Sequence, residues 1–277
     1  VASPEGISFA VPAPSLRGPW AARPPRPQEP YLRLGAPAWS RREWVGRLYP
    51  RGSGPGDWLR LYAAQAGAIE LNATFYAVPD EATLDSWVAA TPPTFRFCPK
   101  VPRPISHDLD RGQVGAFVAR MRRLGERLGP ALLQLPETFA PAGLRALAAL
   151  LQAFPADFRL VVELRHPGWF AEGVLIEEAA ALLAEGGRGA VITDVAGRRD
   201  VCHGTLTAPF LLVRWVGHGG HPSDEPRLDG WLARLADWRG RGLAEAYLIL
   251  HQPDDQRAPE SLVYAAAAAP RAGLAVP

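Results

Sequence analysis

Residues 160–166, Leu-Val-Val-Glu-Leu-Arg-His, carry the pattern that decides the fold. The stretch begins with consecutive apolar side chains, which is typical of a strand buried on both faces, and it ends with charged ones. A helical pattern follows over residues 174–185. Because parallel strands need a crossover connection, a buried strand followed by a helix predicts one βα unit of a parallel sheet.

The same unit recurs along the chain. Short apolar runs predict eight strands, at residues 32–39, 68–72, 95–101, 131–135, 160–165, 190–194, 210–215 and 247–251. Helical patterns predict helices at residues 81–89, 114–128, 142–153, 174–185, 228–238 and 259–269, and one more that Asp57 opens as its N-cap. Eight units in this length predict an α/β fold, a single (β/α)8 TIM-type barrel of roughly 250 residues. An open doubly wound sheet is the alternative, and it is disfavoured because no glycine-rich phosphate loop follows the first strand.

The first thirty residues differ in composition from the rest. Residues 23–27, Arg-Pro-Pro-Arg-Pro, typify a stretch rich in proline and arginine. Such a segment cannot build a core, so residues 1–30 are predicted to be a flexible tail and residues 31–277 the barrel domain.

Bulk composition excludes several classes of protein. The chain has 277 residues, of which 48% are hydrophobic, and 30 basic against 28 acidic residues give a net charge of +2. This charge does not favour nucleic acid as a partner. No apolar run reaches about 18 residues, and the sequence does not open with a signal-peptide pattern, so no membrane is expected. The two cysteines, Cys98 and Cys202, have no metal-ligand spacing, and a cytoplasmic location is predicted.

Nearly all the basic residues are arginine, and Lys100 is the only lysine. Lysine differs from arginine in being a compact charge whose pKa falls readily on burial. Chance survival of one lysine in an arginine-rich composition is the simpler explanation. A site that a guanidinium cannot serve is the alternative.

The predicted strands end in polar residues. Because side chains alternate along a strand and the carboxyl ends of barrel strands meet at one mouth, these residues are expected to converge there. We predict Glu70, Lys100, Glu163 and Asp194 as catalytic residues. We predict Asn72, Tyr76, His107, Gln134, Arg165, His166, Trp169 and Arg214 as substrate-binding residues.

Each role has a physical basis. Lys100 is foremost an anion holder, with a general base or a Schiff-base nucleophile as alternatives. Glu70 and Glu163 are a candidate acid/base pair. Asp194 would orient His166 or hold Lys100, and His107 would shuttle protons. An ion-pair network that only plugs the barrel is the structural alternative for any one of the charged residues.

Several motifs resemble those of the YecE-like family, the domain of unknown function 72. They are Glu70 to Tyr76 (E-L-N-A-T-F-Y) with Pro79, Trp44-Val45-Gly46 with Tyr49-Pro50, Phe95 to Lys100, Ile105-Ser106-His107, Gly129 to Pro136, and Val162 to His166 with Trp169. The resemblance covers about residues 32–269 and implies a TIM-type barrel. It implies no reaction.

The sequence departs from the family pattern at three strand ends. It reads G-A-P-A-W at residues 35–39 where the family has G-T-S-G-W, and Arg214 to Gly217 (R-W-V-G) where R-x-H-G is expected. His251-Gln252 replaces a common pair of asparagines. These departures predict a divergent site at the seventh and eighth strands.

Three functions are compatible with these residues. The first is a cofactor-free enzyme, a hydrolase or lyase, acting on a small anionic or polyhydroxy substrate. The second is a metal-dependent enzyme of sugar-isomerase or phosphodiesterase type, in which Glu70, Glu163, Asp194 and His218 or His251 hold Mg²⁺ or Mn²⁺. Lys100 and Arg165 would repel such a cation. The third is a binding protein with a weakened site.

Overall fold

The computed structural model describes residues 5–18, 20 and 31–276. Its strands are β1 (Ser15–Leu16), β2 (Leu32–Ala36), β3 (Ala68–Leu71), β4 (Arg96–Pro99), β5 (Ala131–Gln134), β6 (Leu160–Glu163), β7 (Phe170–Ala171), β8 (Val174–Leu175), β9 (Gly189–Ala190), β10 (Ile192–Asp194), β11 (Thr205–Leu206), β12 (Phe210–Val216) and β13 (Glu245–His251). Its α-helices are α1 (Pro55–Ala63), α2 (Glu81–Ala90), α3 (Arg103–Ser106), α4 (Val114–Met121), α5 (Leu144–Ala153), α6 (Glu177–Glu185), α7 (Asp224–Gly240) and α8 (Ala258–Ala268).

Two parallel sheets form the body of this α/β fold. One has six strands in the order β10-β12-β13-β2-β3-β4, and the other has three in the order β5-β6-β9. A parallel pair, β1 with β11, and an antiparallel pair, β7 with β8, lie apart from these sheets. Helices connect most consecutive strands of the two large sheets, as the alternating apolar runs and helical patterns predict.

The apolar residues form two clusters. The larger one contains residues from most helices and from one face of the strands, including Trp231 and Trp238 of α7. The smaller one, which we call the inner cluster, gathers residues from the other face of the strands. The inner cluster consists of Ala68, Cys98, Leu132, Val161, Val191, Ala208, Phe210, Leu212, Tyr247 and Ile249.

Several helix boundaries differ from the sequence prediction. Helices α5, α6 and α7 begin at Leu144, Glu177 and Asp224, where starts at residues 142, 174 and 228 were predicted, and residues 174 and 175 form β8. Helix α1 begins at Pro55 after Gly54, so Asp57 lies in its first turn and is not the N-cap. Proline is favoured at the first helical position because its φ is already helical and its missing N–H would have no partner there. Helix α4 ends at Met121, and a 3₁₀ segment with Gly125 at φ 55° continues to Arg127, so the predicted helix over residues 114–128 is shorter.

The connection from β10 to β12 has no α-helix, and the amino-terminal segment packs there. Ser15 N–H donates to the Gly204 carbonyl at 2.9 Å, and Arg17 N–H donates to the Leu206 carbonyl at 2.8 Å. A Cβ on Gly204 would lie 2.0 Å from the Ala13 carbonyl oxygen, so only glycine permits this approach. This part of the predicted flexible tail therefore contacts the body. Residues 1–4, 19 and 21–30 lie outside the described residues, and a domain boundary at residue 30 stays a prediction.

None of the helices in the described ranges combines the length and the apolarity that crossing a bilayer requires.

Candidate functional site

A layer of polar residues follows the inner cluster on seven strands. Residues two apart on a strand face the same side. Each of these strands contributes a residue to the inner cluster. Two positions later, at or next to its carboxyl end, the strand carries a polar side chain. We call this set the strand-end layer, and it consists of Glu70, Lys100, Gln134, Glu163, Thr193, Arg214 and His251. Five of its seven members were predicted as site residues from the sequence. Thr193 was missed and His251 was considered only as a possible metal ligand, and both obey the same two-residue spacing.

Arg214 holds two carboxylates of the layer at once. Its Nε and Nη2 lie 3.0 and 3.1 Å from the two carboxylate oxygens of Glu70. Its Nη1 donates to both oxygens of Glu163 at 3.2 and 3.1 Å. Both carboxylates are buried, and a buried charge is tolerated only when it is paired and hydrogen-bonded. The charged side chains that the sequence predicts to converge therefore form one ion network, with members from β3, β6 and β12.

Neighbouring groups complete the bonding of the two carboxylates. Gln134 Nε2 donates to Glu163 at 2.7 Å, and Thr193 Oγ1 donates to it at 3.1 Å. His251 Nε2 lies 3.4 Å from Glu70. Burial by itself would raise the pKa of Glu70, but the charges and hydrogen bonds of Arg214 and His251 outweigh it and hold that pKa well below its usual value. Glu70 is thus ionised at neutral pH.

Lys100 is in the layer but outside the ion network. Among the described residues its Nζ makes no ion pair, and its contact is with the Phe75 ring, 4.5 Å from the ring centroid. Burial lowers the pKa of Lys100, and the positive charge of Arg214 lowers it further, against the opposing effect of Glu70 and Glu163. Lys100 is therefore the cation of the layer that has no carboxylate of its own.

Two histidines are close to the ion network: His251 is a member of the layer, and His107 lies beside it. His251 closes β13, its side chain is 12% exposed, and its Nε2 is the ring nitrogen that faces Glu70. His107 packs its ring edge-on against Phe75, at 5.2 Å between centroids, and its Nδ1 lies 3.0 Å from Ser106 Oγ. Burial lowers the pKa of His107, and the charges of Arg103 and Lys100 lower it further. Phe75 thus lies against both Lys100 and His107, a position that the sequence pattern did not reveal.

Three predicted binding residues lie further along their strands than the layer. Arg165 pairs with Glu137 at 2.7 Å, and its Nε is 3.7 Å from Glu163. Asn72 follows Glu70 by two positions at the start of a 3₁₀ turn and is half-buried. His166 caps the next 3₁₀ turn, because its Nδ1 accepts the Gly168 N–H at 3.0 Å. Its ring is fixed by this local hydrogen bond, and a binding role for it stays a prediction.

Asp194 does not join the layer, which corrects the expectation that it orients His166 or holds Lys100. Its neighbour Thr193 faces Glu163, so Asp194 faces the opposite side of β10. There it accepts hydrogen bonds from Arg227 Nη2 at 2.8 Å, from Trp231 Nε1 at 2.5 Å and from Arg199. These contacts anchor α7 and the 3₁₀ segment after β10 to the strand.

The two aromatic side chains predicted to bind substrate, Tyr76 and Trp169, do not lie together at the layer. Trp169 is fully buried, donates its Nε1–H to the Phe139 carbonyl at 2.6 Å and stacks on Phe139, so it is part of the core. Tyr76 is 85% exposed and lines a separate groove with Val78, Pro102 and residues of α4. The aromatic residue next to Lys100 is Phe75.

The donor set proposed for a divalent cation is not assembled. Within the described ranges, no group of three or more histidine, cysteine, aspartate or glutamate side chains is placed to hold a metal ion. Glu70 and Glu163 bind Arg214, while Asp194 lies on the other face of its strand. The residues present therefore do not fit the magnesium or manganese alternative.

Known proteins share both the sequence and the fold. The UPF0759 protein YecE of Escherichia coli K12 is 34% identical over 249 residues, which cover 82% of this chain and 88% of that protein. A solved DUF72 family protein from Thermotoga maritima MSB8 has a TM-score of 0.69 at 23% identity, over 87% of this chain and 98% of its own. Another, from Enterococcus faecalis V583, has a TM-score of 0.69 at 20% identity, over 86% of this chain and 95% of its own. Both likenesses support the α/β fold described above.

The model of the family described as "Protein of unknown function DUF72" matches residues 33–274. The match spans all of the strand-end layer and both large sheets, so the chain belongs to the DUF72 family.

Proposed function

We propose that the nine strands of the two large sheets, with β9 and β10 as two parts of one interrupted strand, close into a (β/α)8 barrel, and that the strand-end layer is the floor of its active site. Two sets of hydrogen bonds support closure. Between β4 and β5, Val101 N–H donates to Leu132 and Gly129 N–H donates to Phe97, each at 2.8 Å. Only Val191 separates β9 from β10, and its N–H donates to Val162 of β6 at 2.9 Å. In such barrels the catalytic groups come from the carboxyl ends of several strands.

The proposed activity is that of a cofactor-free enzyme, a hydrolase or lyase, acting on a small polyhydroxy or anionic substrate. The observation that carries it is Lys100, a half-buried cation without a carboxylate partner beside a fully bonded ion network. A network that served stability alone would pair every charge, because a desolvated charge without a partner costs free energy. Lys100 is therefore the group of the layer that is left for a ligand.

The charges of the site favour the polyhydroxy class over a strongly anionic one. Arg214 is shared by Glu70 and Glu163, and Arg165 is paired with Glu137. These two guanidinium groups face three carboxylates, so the charge of Lys100 makes this set of side chains neutral overall. A neutral polyol, or a compound with one acidic group, matches this balance better than a multiply charged anion.

The same geometry changes the expected roles of the carboxylates. A split acid/base pair needs one carboxyl whose pKa is raised, whereas Arg214 and His251 hold the pKa of Glu70 low. Proton transfer in the proposed reaction is therefore assigned to two histidines, His251 of the layer and His107 beside it. Glu70 would orient His251 through its Nε2–H.

A non-catalytic binding protein is the second candidate, and one observation favours it. Glu163 accepts from Arg214, Gln134 and Thr193, so its oxygens are occupied before any substrate arrives. Binding at Lys100 without chemistry is compatible with this arrangement. Cytoplasmic location also stays a prediction, made from cysteine content; Cys98 and Cys202 are both free and buried.

Thermal denaturation with defined ligands tests the site. Ribitol, gluconate and inorganic phosphate are the probes for the polyhydroxy, sugar-acid and simple-anion classes. A ligand at about ten times its Kd should raise the Tm of the wild type by about 3–5 °C, and Lys100→Met should remove the shift. Arg60→Met, at an exposed helical position, is the matched control that should retain it. If no compound of these classes shifts the wild-type Tm, the proposed site is wrong.

A further inference from the structure

Lys100 is the only lysine in a chain with 30 basic residues, and it directly follows β4, at the carboxyl end of that strand. Arginine could replace it as a holder of anions, and Arg165 and Arg214 bind carboxylates in that way at two other strand ends. Arginine cannot replace it as a nucleophile, because a guanidinium stays protonated at any pH a protein tolerates. The one property that separates the two side chains here is the capacity to present a neutral amine.

The backbone of Lys100 is held from two sides. Its N–H donates to Leu71 at 3.2 Å, and its carbonyl accepts from Thr74 Oγ1 at 2.6 Å. On the same face of β4, Cys98 lies two residues earlier, in the apolar inner cluster. The side chain therefore starts from a fixed point above an apolar floor.

The surroundings of Nζ disfavour a permanent ammonium ion. The charged groups that face it are Arg214 of β12, Glu70 of β3, Glu163 of β6 and Arg165 beyond β6. Both carboxylates are committed to Arg214, and the cation–π contact with the Phe75 ring is weak at a partly exposed site. Burial and Arg214 accordingly lower the pKa of Lys100, which increases the fraction of amine at neutral pH.

We propose that Lys100 forms a Schiff base with the carbonyl carbon of a small polyhydroxy aldehyde or ketone. The inference rests on the proposed function, since it names the substrate class and the covalent step of that same site. A polyhydroxy carbonyl compound satisfies the charge balance of the strand-end layer and gives the lysine an electrophile.

The covalent step balances without a cofactor. The lone pair of neutral Nζ forms a bond to the carbonyl carbon as the C=O π bond breaks. The nitrogen then loses one proton and the oxygen gains one, which gives a neutral carbinolamine. A second proton, from solvent or an imidazole, lets that oxygen leave as water while the nitrogen lone pair forms the C=N bond. The product is a protonated imine at Lys100 and one water molecule, with no net oxidation or reduction.

Imine trapping on the intact protein tests the proposal directly. The folded chain is incubated with glyceraldehyde or dihydroxyacetone and sodium cyanoborohydride, which reduces the imine to a stable secondary amine. Peptide mass mapping then locates the added mass. Because the chain has one lysine, its only other amine is the amino terminus, which serves as the internal reference along with free Nα-acetyllysine.

We expect Lys100 to be labelled faster than Nα-acetyllysine at pH 7, because a lowered pKa raises the fraction of neutral amine. Its rate should saturate with carbonyl concentration and fall to the reference rate in urea. Lys100→Arg, which keeps the charge, should show label only at the amino terminus. Labelling of folded Lys100 at or below the reference rate would overturn the proposal.

Ribitol, which has no carbonyl group, separates this failure from failure of the proposed function. If ribitol raises the Tm of the wild type and Lys100 still labels at the reference rate, the site binds polyols and the Schiff base is wrong. If ribitol, gluconate and phosphate are all without effect and Lys100 labels at the reference rate, both proposals are wrong.

Discussion

The two ends of the parallel strands carry opposite arrangements of charge. At the carboxyl ends, one cation, Arg214, is shared by two buried carboxylates. At the amino ends, one carboxylate, Glu245, is shared by two cations. Arg33 bonds to one of its oxygens, and Arg159 donates to the other at 2.5 Å. Tyr247 Oη also donates to Glu245, at 2.8 Å.

The difference between the ends lies in what remains unpaired. At the amino ends, Arg33 is buried against Thr94 and Glu245, and Arg159 covers the Phe210 ring at 4.5 Å. These groups stabilise one another. At the carboxyl ends, Lys100 Nζ has no protein hydrogen-bond partner and no ion pair among the described residues. The comparison assigns a structural role to the amino-end network and a ligand-binding role to the carboxyl end.

Arg214→Met should have the largest effect on stability. It leaves Glu70 and Glu163 buried without their shared cation, and breaking a buried pair in this way costs about 3–5 kcal/mol. Urea unfolding at neutral pH measures the loss. Adding Glu163→Gln to Arg214→Met should recover part of it, because one buried charge is removed. If Arg214→Met unfolds at the wild-type urea concentration, the carboxyl-end carboxylates are not desolvated as the structure places them.

Glu245→Gln should have the next largest effect, at the other end. It removes the carboxylate from between Arg33 and Arg159, but Arg159 is 36% exposed and water can solvate it. We therefore expect a smaller loss, about 1–3 kcal/mol, in the same urea measurement. Tyr247→Phe, which removes one hydrogen bond to Glu245 and keeps its charge, is the control and should cost about 1 kcal/mol. A loss for Glu245→Gln larger than that for Arg214→Met would reverse the comparison.

Strand periodicity made the carboxyl-end cluster predictable, and its limits explain the errors. Glu70, Lys100, Gln134, Glu163 and Arg214 each stand out as polar residues after apolar runs, and alternation places them on one face. Residues 190–194, Ala-Val-Ile-Thr-Asp, give no such signal, because the apolar residues before Thr193 and Asp194 do not reveal which face is inner. The more strongly charged residue was chosen, and the structure places Thr193 inside.

The aromatic residues were less predictable still. Trp169, Tyr76 and Phe75 all lie just beyond strand ends, so the sequence offers no ground for ranking them. Their exposure is decided by tertiary contacts, such as the bond from Trp169 Nε1 to the Phe139 carbonyl. The amino-terminal contacts with β11 were equally hidden, since composition alone cannot show that Gly204 leaves room for Ala13.

Acid titration should separate the two ends more finely. Burial raises the pKa of Glu70 and of Glu245, but neighbouring arginines lower both pKa values by more. His251 lowers the pKa of Glu70 further, so both carboxyl groups have a pKa below the usual value. A lowered pKa stabilises the fold above the unfolded value of about 4.3, and this contribution is lost as the pH falls through the folded value. Stability should thus decrease between about pH 5 and pH 3, by up to about 1.4 kcal/mol per pH unit for each group.

Glu70→Gln and Glu245→Gln test the assignment of that slope. Each should flatten the pH dependence of the urea midpoint, and Glu70→Gln should flatten it more, because Glu70 is fully buried and Glu245 is 14% exposed. An unchanged slope in Glu70→Gln would show that the carboxyl-end network does not hold the pKa of Glu70 low.

Lys100→Met should have the smallest effect on stability, and it is the most informative variant. Lys100 has no ion pair to lose, and removing a half-buried charge relieves desolvation, so we expect a change within about 0.5 kcal/mol, in either direction. Arg159→Met at the opposite end loses both its bond to Glu245 and its packing on Phe210, and should cost about 1 kcal/mol or more in the same urea titration. A group that contributes to ligand binding and not to stability is what distinguishes a binding site from a structural network. If Lys100→Met is instead as destabilising as Arg159→Met, then Lys100 belongs to the same kind of network as Arg159, and the contrast between the two ends of the strands does not hold.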